Sequence, residues 1–161
     1  MITQESIKNL ARQYKTSEFP NVVREYFQHI FLSELYKLPD SNPLLFKGGT
    51  ALRIVYGSPR FSEDLDFSLF AIHGFQKKKY VEDLFSSVLA AIERHGIKSE
   101  IGSKSGITTG GYFGEASFQI YDYPDIDVTI NISDRNGSDV RGEVDTVAND
   151  FVPTYNVLHL P

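Results

Sequence analysis

The chain has no cysteine among its 161 residues. That removes disulfides, thiolate zinc sites and cysteine nucleophiles together, and it fits a reducing compartment. A long hydrophobic run is also missing, since none approaches the roughly 20 apolar residues needed to cross a bilayer. Met1 to Leu10 carry polar groups throughout and lack the apolar block of a signal peptide. The expectation is a cytoplasmic protein with no membrane association. Basic charge is scarce too: 16 Lys and Arg stand against 21 Asp and Glu, a net of −5. A general nucleic-acid coat is basic, so any such contact would have to be local. The deficit sits in residues 122–150, which hold eight acidic side chains and only Arg135 and Arg141 as basic ones. That stretch reads as a solvated loop or, more sharply, as a partner surface or metal-side face. No Gly-x4-Gly-Lys-Ser/Thr loop, His-Glu-x-x-His pair or Gly-x-Ser-x-Gly elbow occurs. His29, His73, His95 and His159 fall at no metal-ligand spacing and read as ordinary helix, loop and terminal residues.

What is present is an ordered alternation of helical and extended patterns. Thr3 is placed to cap a helix reaching about Tyr14, with Ile7, Leu10 and Ala11 on one face. Residues 18–38 read as one longer helix, with Val22, Val23, Tyr26, Phe27, Ile30, Phe31 and Leu35 at helical spacing and Pro20 in the first turn. After a Pro39–Pro43 break, Leu44-Leu45-Phe46 reads as a buried strand and Thr50 to Tyr56 as a helix. Asp64 to Phe70 alternates with a period of two, which argues a strand. Residues 77–95 read as a third long helix. Strands follow around 98–103, 112–121, 125–133 and 152–158, with Gly110-Gly111 and Asn136-Gly137 as turn signals. The class expected is α+β with a mixed sheet flanked by helices. Residues 1–43 form an N-terminal helical segment packed on a core spanning 44–161.

Two short segments carry chemistry. Gly48-Gly49 stands between a strand and a helix, where glycine lets the backbone approach a ligand closely. The first free N–H groups of the helix and the Thr50 hydroxyl then converge on a seat for phosphate. Asp64-Leu65-Asp66 lies on a strand, so both carboxylates face one way. Side by side they repel unless a cation sits between them, and magnesium is commonly held by one or two carboxylates plus substrate phosphates. Each signal is common alone, as a tight turn or a solvated face. Together, 15 residues apart from Gly49 to Asp64, they supply the two parts that metal-assisted phosphoryl transfer needs.

The run Phe-Lys-Gly-Gly-Thr-Ala-Leu from Phe46, then Tyr56, then Arg60-Phe61-Ser62-Glu63-Asp64-Leu65-Asp66-Phe67 resembles the signature of the AbiEii/AbiGii toxin family. These are nucleotidyltransferases of the polymerase-β superfamily, bacterial or archaeal in source. The resemblance implies a polymerase-β-like mixed sheet, magnesium (with manganese as a substitute) and a nucleoside triphosphate donor. It implies a setting in toxin–antitoxin or abortive-infection systems, with an antitoxin protein as partner. The acceptor it suggests is a hydroxyl on tRNA or protein. Position by position, it makes Gly48, Gly49 and Thr50 the nucleotide loop and Asp64 and Asp66 the metal pair. Lys47, Arg60 and Ser62 become further nucleotide-binding positions, and Arg53 matches without an assigned role.

Relatives add an acid from a later strand. In Asp125 to Ser133 the odd positions are polar and the even ones apolar, so Asp125, Asp127, Thr129, Asn131 and Ser133 share a face. The run Ile130 to Arg135 resembles the family's third motif, and Asn131 stands where relatives have the acid. Asp127, about 13 Å away along a strand, is slightly favoured as the functional acid. Relatives also continue into a helical C-terminal region, and a chain stopping at Pro161 is expected to lack it. The leading reading is a magnesium-dependent nucleotidyltransferase. The alternative is a catalytically impaired nucleotide-binding or interaction module of the same fold, and a metal-dependent phosphohydrolase ranks third.

Overall fold

The computed structural model describes residues 1–135 and 141–161. The turn signal at Asn136-Gly137 lies outside the described residues. Helix α1 spans Gln4–Tyr14, and the Thr3 side chain accepts from the Ser6 N–H at its start. That bond satisfies one of the free donors of the first turn. Ile7, Leu10 and Ala11 are its buried stripe.

The second helix departs from the sequence expectation. Phe19 is extended (φ −128°, ψ 132°), and only a π-type turn over Glu18–Val22 leads into α2, Val23–Leu35. Pro20 therefore sits in that turn and not in the first turn of an α-helix. α2 is buried on nearly all sides. Alongside its apolar residues it buries Glu25, Gln28, His29 and Ser33, which a helix with a solvent face would turn outward. Two later helices complete the set: α3, Gly48–Ile54, and α4, Gln76–Arg94. α4 is amphipathic in the ordinary way, with Val81, Leu84, Phe85, Val88, Leu89 and Ile92 inward.

The strands are β1 (Leu44–Lys47), β2 (Leu65–Leu69), β3 (Lys98–Ile101), β4 (Gly106–Thr108), β5 (Gly111–Gln119), β6 (Ile126–Asp134), β7 (Glu143–Val147) and β8 (Tyr155–His159). They form one eight-stranded mixed sheet in the order β3-β5-β6-β2-β1-β8-β7, with β4 also paired to β5. β4 and β7 were not anticipated, because both are short and largely solvent-facing. The acidic stretch 122–150, read as a solvated loop apart from the strand expected around 125–133, contains all of β6 and all of β7. One face of the sheet packs on the helices through Phe46, Leu65, Phe67, Val128, Ile130 and Ile132. β1 and β2 are antiparallel, while β2 and β6 are parallel. This central trio holds the residues of interest on the other face.

Candidate functional site

Register alone lines up three polar residues. Lys47 on β1 is opposite Asp66 on β2, and Asp66 is beside Asn131 on β6. Paired residues of neighbouring strands point to the same face, so these side chains form a row across the sheet. The Asn131 amide donates to Asp66 Oδ1 at 3.0 Å. The other carboxylate oxygen lies against the glycine turn: a Cβ added to Gly48 would stand 2.5 Å from Asp66 Oδ2. Gly48 also has φ +84°, a backbone region that side-chain-bearing residues resist. A Cβ on Gly49 would stand 3.3 Å from the Ser62 hydroxyl. Each glycine thus leans on the segment that carries the aspartate pair.

The segment between α3 and β2 has no sheet partner of its own, and buried polar side chains hold it. Thr50 is fully buried, and its hydroxyl donates to the Asp64 carbonyl. The expected role of the Thr50 hydroxyl as a phosphate donor is corrected here, since its single O–H is already committed to the Asp64 backbone. Gln28 of α2 donates to the Ser62 carbonyl at 2.8 Å. Arg53 donates to the Ser58 and Pro59 carbonyls at 3.1 and 3.2 Å and stacks its guanidinium 3.7 Å above the Phe61 ring. Arg53 is in turn paired with buried Glu25. Burial raises the Glu25 carboxyl above its ordinary range even though Arg53 opposes the shift.

Charge in the cleft is unbalanced in two ways. The Asp64 carboxyl is pushed up by partial burial first, then by Asp66 and Glu63, with Arg24 opposing. Among the described residues neither Asp64 nor Asp66 lies within ion-pair distance of a basic side chain. Two adjacent, unneutralised carboxylates are the donor set a hard divalent cation takes, so the residues present fit magnesium. Lys47 is pushed down by partial burial first and then by the cation of Arg135, with Asp66 opposing. Two mutually repelling cations beside the aspartates favour an anion between them. Arg135, whose Nε donates to Ser68 Oγ at 3.3 Å, was not among the expected nucleotide residues. Next to the turn opens a cavity of about 510 Å³ whose lining includes Gly49, Arg60, Phe61, Ser62 and Glu63.

Asp127 lies elsewhere. It is opposite Ser117 on β5, whose hydroxyl donates to its carboxylate, and it is exposed. The register puts Asn131, not Asp127, beside Asp66, so the slight preference for Asp127 as third acid is corrected on geometry. Two tyrosines of the sheet region are held by packing and hydrogen bonds within the fold. Tyr112 is buried and donates to Glu82, and Tyr123 stacks on Phe19 with ring centroids 6.0 Å apart. Of the positioning residues, Glu25 and Gln28 were not singled out from the sequence, and Arg53 was matched there without a role. The signal of Glu25 and Gln28 was polar residues recurring within the otherwise apolar α2, a pattern that exists only where they have buried partners.

Comparisons with known proteins bear on the family and the fold. A family model described as "Nucleotidyl transferase AbiEii toxin, Type IV TA system" matches residues 30–161. A crystal structure from H. pylori, of a protein assigned as a nucleotidyltransferase, superposes with a TM-score of 0.54 at 26% identity over 71% of this chain and 45% of that one. JHP933 from Helicobacter pylori superposes with a TM-score of 0.55 at 21% identity over 89% of this chain and 50% of that one. The chain spans about half the length of these two proteins. No curated protein sequence matches it. The mixed sheet flanked by helices is a polymerase-β-like nucleotidyltransferase fold.

Proposed function

The chain belongs to the AbiEii nucleotidyl transferase toxin family, and from that premise we propose that it moves a nucleoside monophosphate from a nucleoside triphosphate to an acceptor hydroxyl. The observation that carries the reading is the contact between the Gly48 backbone and the Asp66 carboxylate, which gives a phosphate-binding turn and an acidic pair a common cleft. In this reading Asp64 and Asp66 hold magnesium, or manganese in its place, and the ion supplies charge neutralisation at the phosphate oxygens. Gly48 and Gly49 offer backbone N–H groups to the triphosphate. Lys47, Arg60 and Arg135 add charge-assisted donors, and the Ser62 hydroxyl adds a neutral one. The acceptor oxygen bonds to the α-phosphorus, the bond from that phosphorus to the bridging oxygen breaks, pyrophosphate leaves, and the acceptor proton passes to solvent. Asn131 takes no proton, and its role is to fix the Asp66 carboxylate.

The family description supports an antitoxin counterpart, and the family resemblance makes tRNA the first acceptor to try, ahead of protein. The test is transfer of α-labelled nucleotide to cellular RNA or protein with magnesium, comparing wild type with Asp64→Ala and Asp66→Ala. Labelling lost in both variants supports the reading, and labelling equal to wild type in both defeats it. A second reading has its own support in Asn131, an amide where relatives have an acid. There the fold binds nucleotide and transfers nothing, so calorimetric binding of nucleoside triphosphate would persist with no labelled acceptor at any magnesium concentration.

A further inference from the structure

A second set of ligand-bearing side chains lies away from the aspartate pair, on β7 and β8. Among the described residues, Glu143, Asp145 and His159 each bring a ligand atom to within 4.8 Å of the others. Strand register assembles them. Glu143 is directly opposite His159, and Asp145 follows two residues along β7 and so shares its face. His159 is only 1% exposed, while both carboxylates reach solvent. The Tyr56 ring stands edge-on to the imidazole with centroids 5.7 Å apart. Far from being an ordinary terminal residue, His159 is a fixed, buried ring.

The two ring nitrogens are informative. Nδ1 is 2.7 Å from the Leu160 carbonyl oxygen. A carbonyl only accepts, so Nδ1 carries the ring's N–H. A neutral imidazole has one such proton, and Nε2 is left with a lone pair. Nε2 lies 2.6 Å from Asp145 Oδ2, which is also an acceptor. At that separation a proton bridges the two, and a metal ion takes its place only once the pair opens to the roughly 3 Å or more that two ligands of one ion keep. Glu143 weighs on that choice. One imidazolium with two carboxylates leaves an uncompensated negative charge, whereas a divalent ion with a neutral imidazole and two carboxylates is balanced.

We propose that Glu143, Asp145 and His159 bind a divalent transition-metal ion, with zinc as the representative. An imidazole nitrogen among the ligands favours zinc and its first-row neighbours over magnesium and calcium, which prefer oxygen. The Nδ1–H bond to a backbone carbonyl is the outer contact that orients metal-bound histidines. Three protein ligands leave a fourth position for water. The ion clips β7 to β8, and β8 lies beside β1 with His159 paired to Phe46 and the Leu160 N–H donating to the Phe46 carbonyl at 2.9 Å. Phe46 precedes Lys47 and the glycine turn, so the clip steadies the strand that leads into the cleft.

The test uses the whole chain, with ¹⁵N-detected imidazole spectra at about pH 7.5 before and after zinc chloride, and calorimetry on wild type, Glu143→Gln and Asp145→Asn. These substitutions are at exposed positions and leave His159 in place, so folding is not at stake. The expected result is a shift of the His159 Nε2 resonance on adding zinc but not magnesium, with affinity falling about tenfold or more in each variant. Following the His159 resonance separates this site from zinc bound at Asp64 and Asp66. A doubly protonated His159 that zinc leaves unchanged would overturn the proposal, as would zinc affinity equal in wild type and both variants.

Discussion

Replacing Gly48 by alanine tests the contact that unites the cleft. Two independent penalties act there. The residue has φ +84°, and forcing a Cβ into the left-handed region costs about 1–2 kcal/mol. The new methyl would also stand 2.5 Å from Asp66 Oδ2, so the carboxylate must move and give up its bond from Asn131, a hydrogen bond to a charged group worth about 1.5–3 kcal/mol. Gly48→Ala is therefore expected to lose about 2.5–5 kcal/mol of stability. Two sister variants separate the terms. Gly57 has φ +76° with nothing within 4 Å of an added Cβ, so Gly57→Ala carries the strain alone, about 1–2 kcal/mol. Gly49 has ordinary φ and meets only the rotatable Ser62 hydroxyl at 3.3 Å, so Gly49→Ala should change stability by no more than about 0.5 kcal/mol. Urea unfolding of the three proteins measures the differences. Nucleotide transfer by Gly48→Ala should fall about a hundredfold, the scale of a displacement near 1 Å in a reacting geometry. If Gly48→Ala and Gly57→Ala lose the same stability, the Gly48–Asp66 contact does not exist and the shared cleft goes with it.

Other expectations follow from the side chains behind the cleft. Thr50→Val keeps the shape but leaves the Asp64 carbonyl unpaired, at a cost of about 1–3 kcal/mol, while Thr50→Ser should stay near wild type; thermal melts and transfer assays on the pair check this. Arg53→Met strands the buried Glu25 carboxylate and should cost about 3–5 kcal/mol, much of it restored by adding Glu25→Gln, as urea titrations of the single and double variants would show. His29 is neutral in the fold because burial first, and then Arg53, push it from 6.5 down to about 4. The unfolded chain binds that proton from about pH 6.5 downward, so His29 stabilises fully above that value. Its contribution falls by about 1.4 kcal/mol per pH unit toward pH 4, about 3 kcal/mol in all. Stability measured from pH 7 to 4 should therefore drop more steeply in wild type than in His29→Gln, and parallel curves would exclude the neutral ring.

The parts of this fold that sequence made legible are those governed by local rules. The α1 cap at Thr3, the apolar stripe of α4 and the alternation in β2 and β6 are each decided within a few residues. Asp64 and Asp66 could be named because a strand period of two and a glycine pair are themselves local patterns. What escaped notice depends on long-range partners. Thr50 looked like a ligand donor until its hydroxyl met the Asp64 backbone. Asp127 looked like a candidate acid until the pairing of β2 with β6 put Asn131 beside Asp66. Glu25, Gln28 and Arg53 are unremarkable letters in sequence, and acquire meaning only when the chain folds back and buries them against residues 58–62. His159 belongs with them, since its partners lie on a strand that no periodicity announced.

The way α2 grips the stretch before β2 decides how the molecule comes apart. Strand amides are shielded by a ladder that opens only with the sheet, but residues 58–63 are fastened through their carbonyls by Gln28 and Arg53. In native-state hydrogen exchange the stretch leading to the aspartates should therefore share its opening energy with the second helix rather than with the strands on either side of it. A molecule that sheds that helix first would be switched off while most of its sheet is still intact.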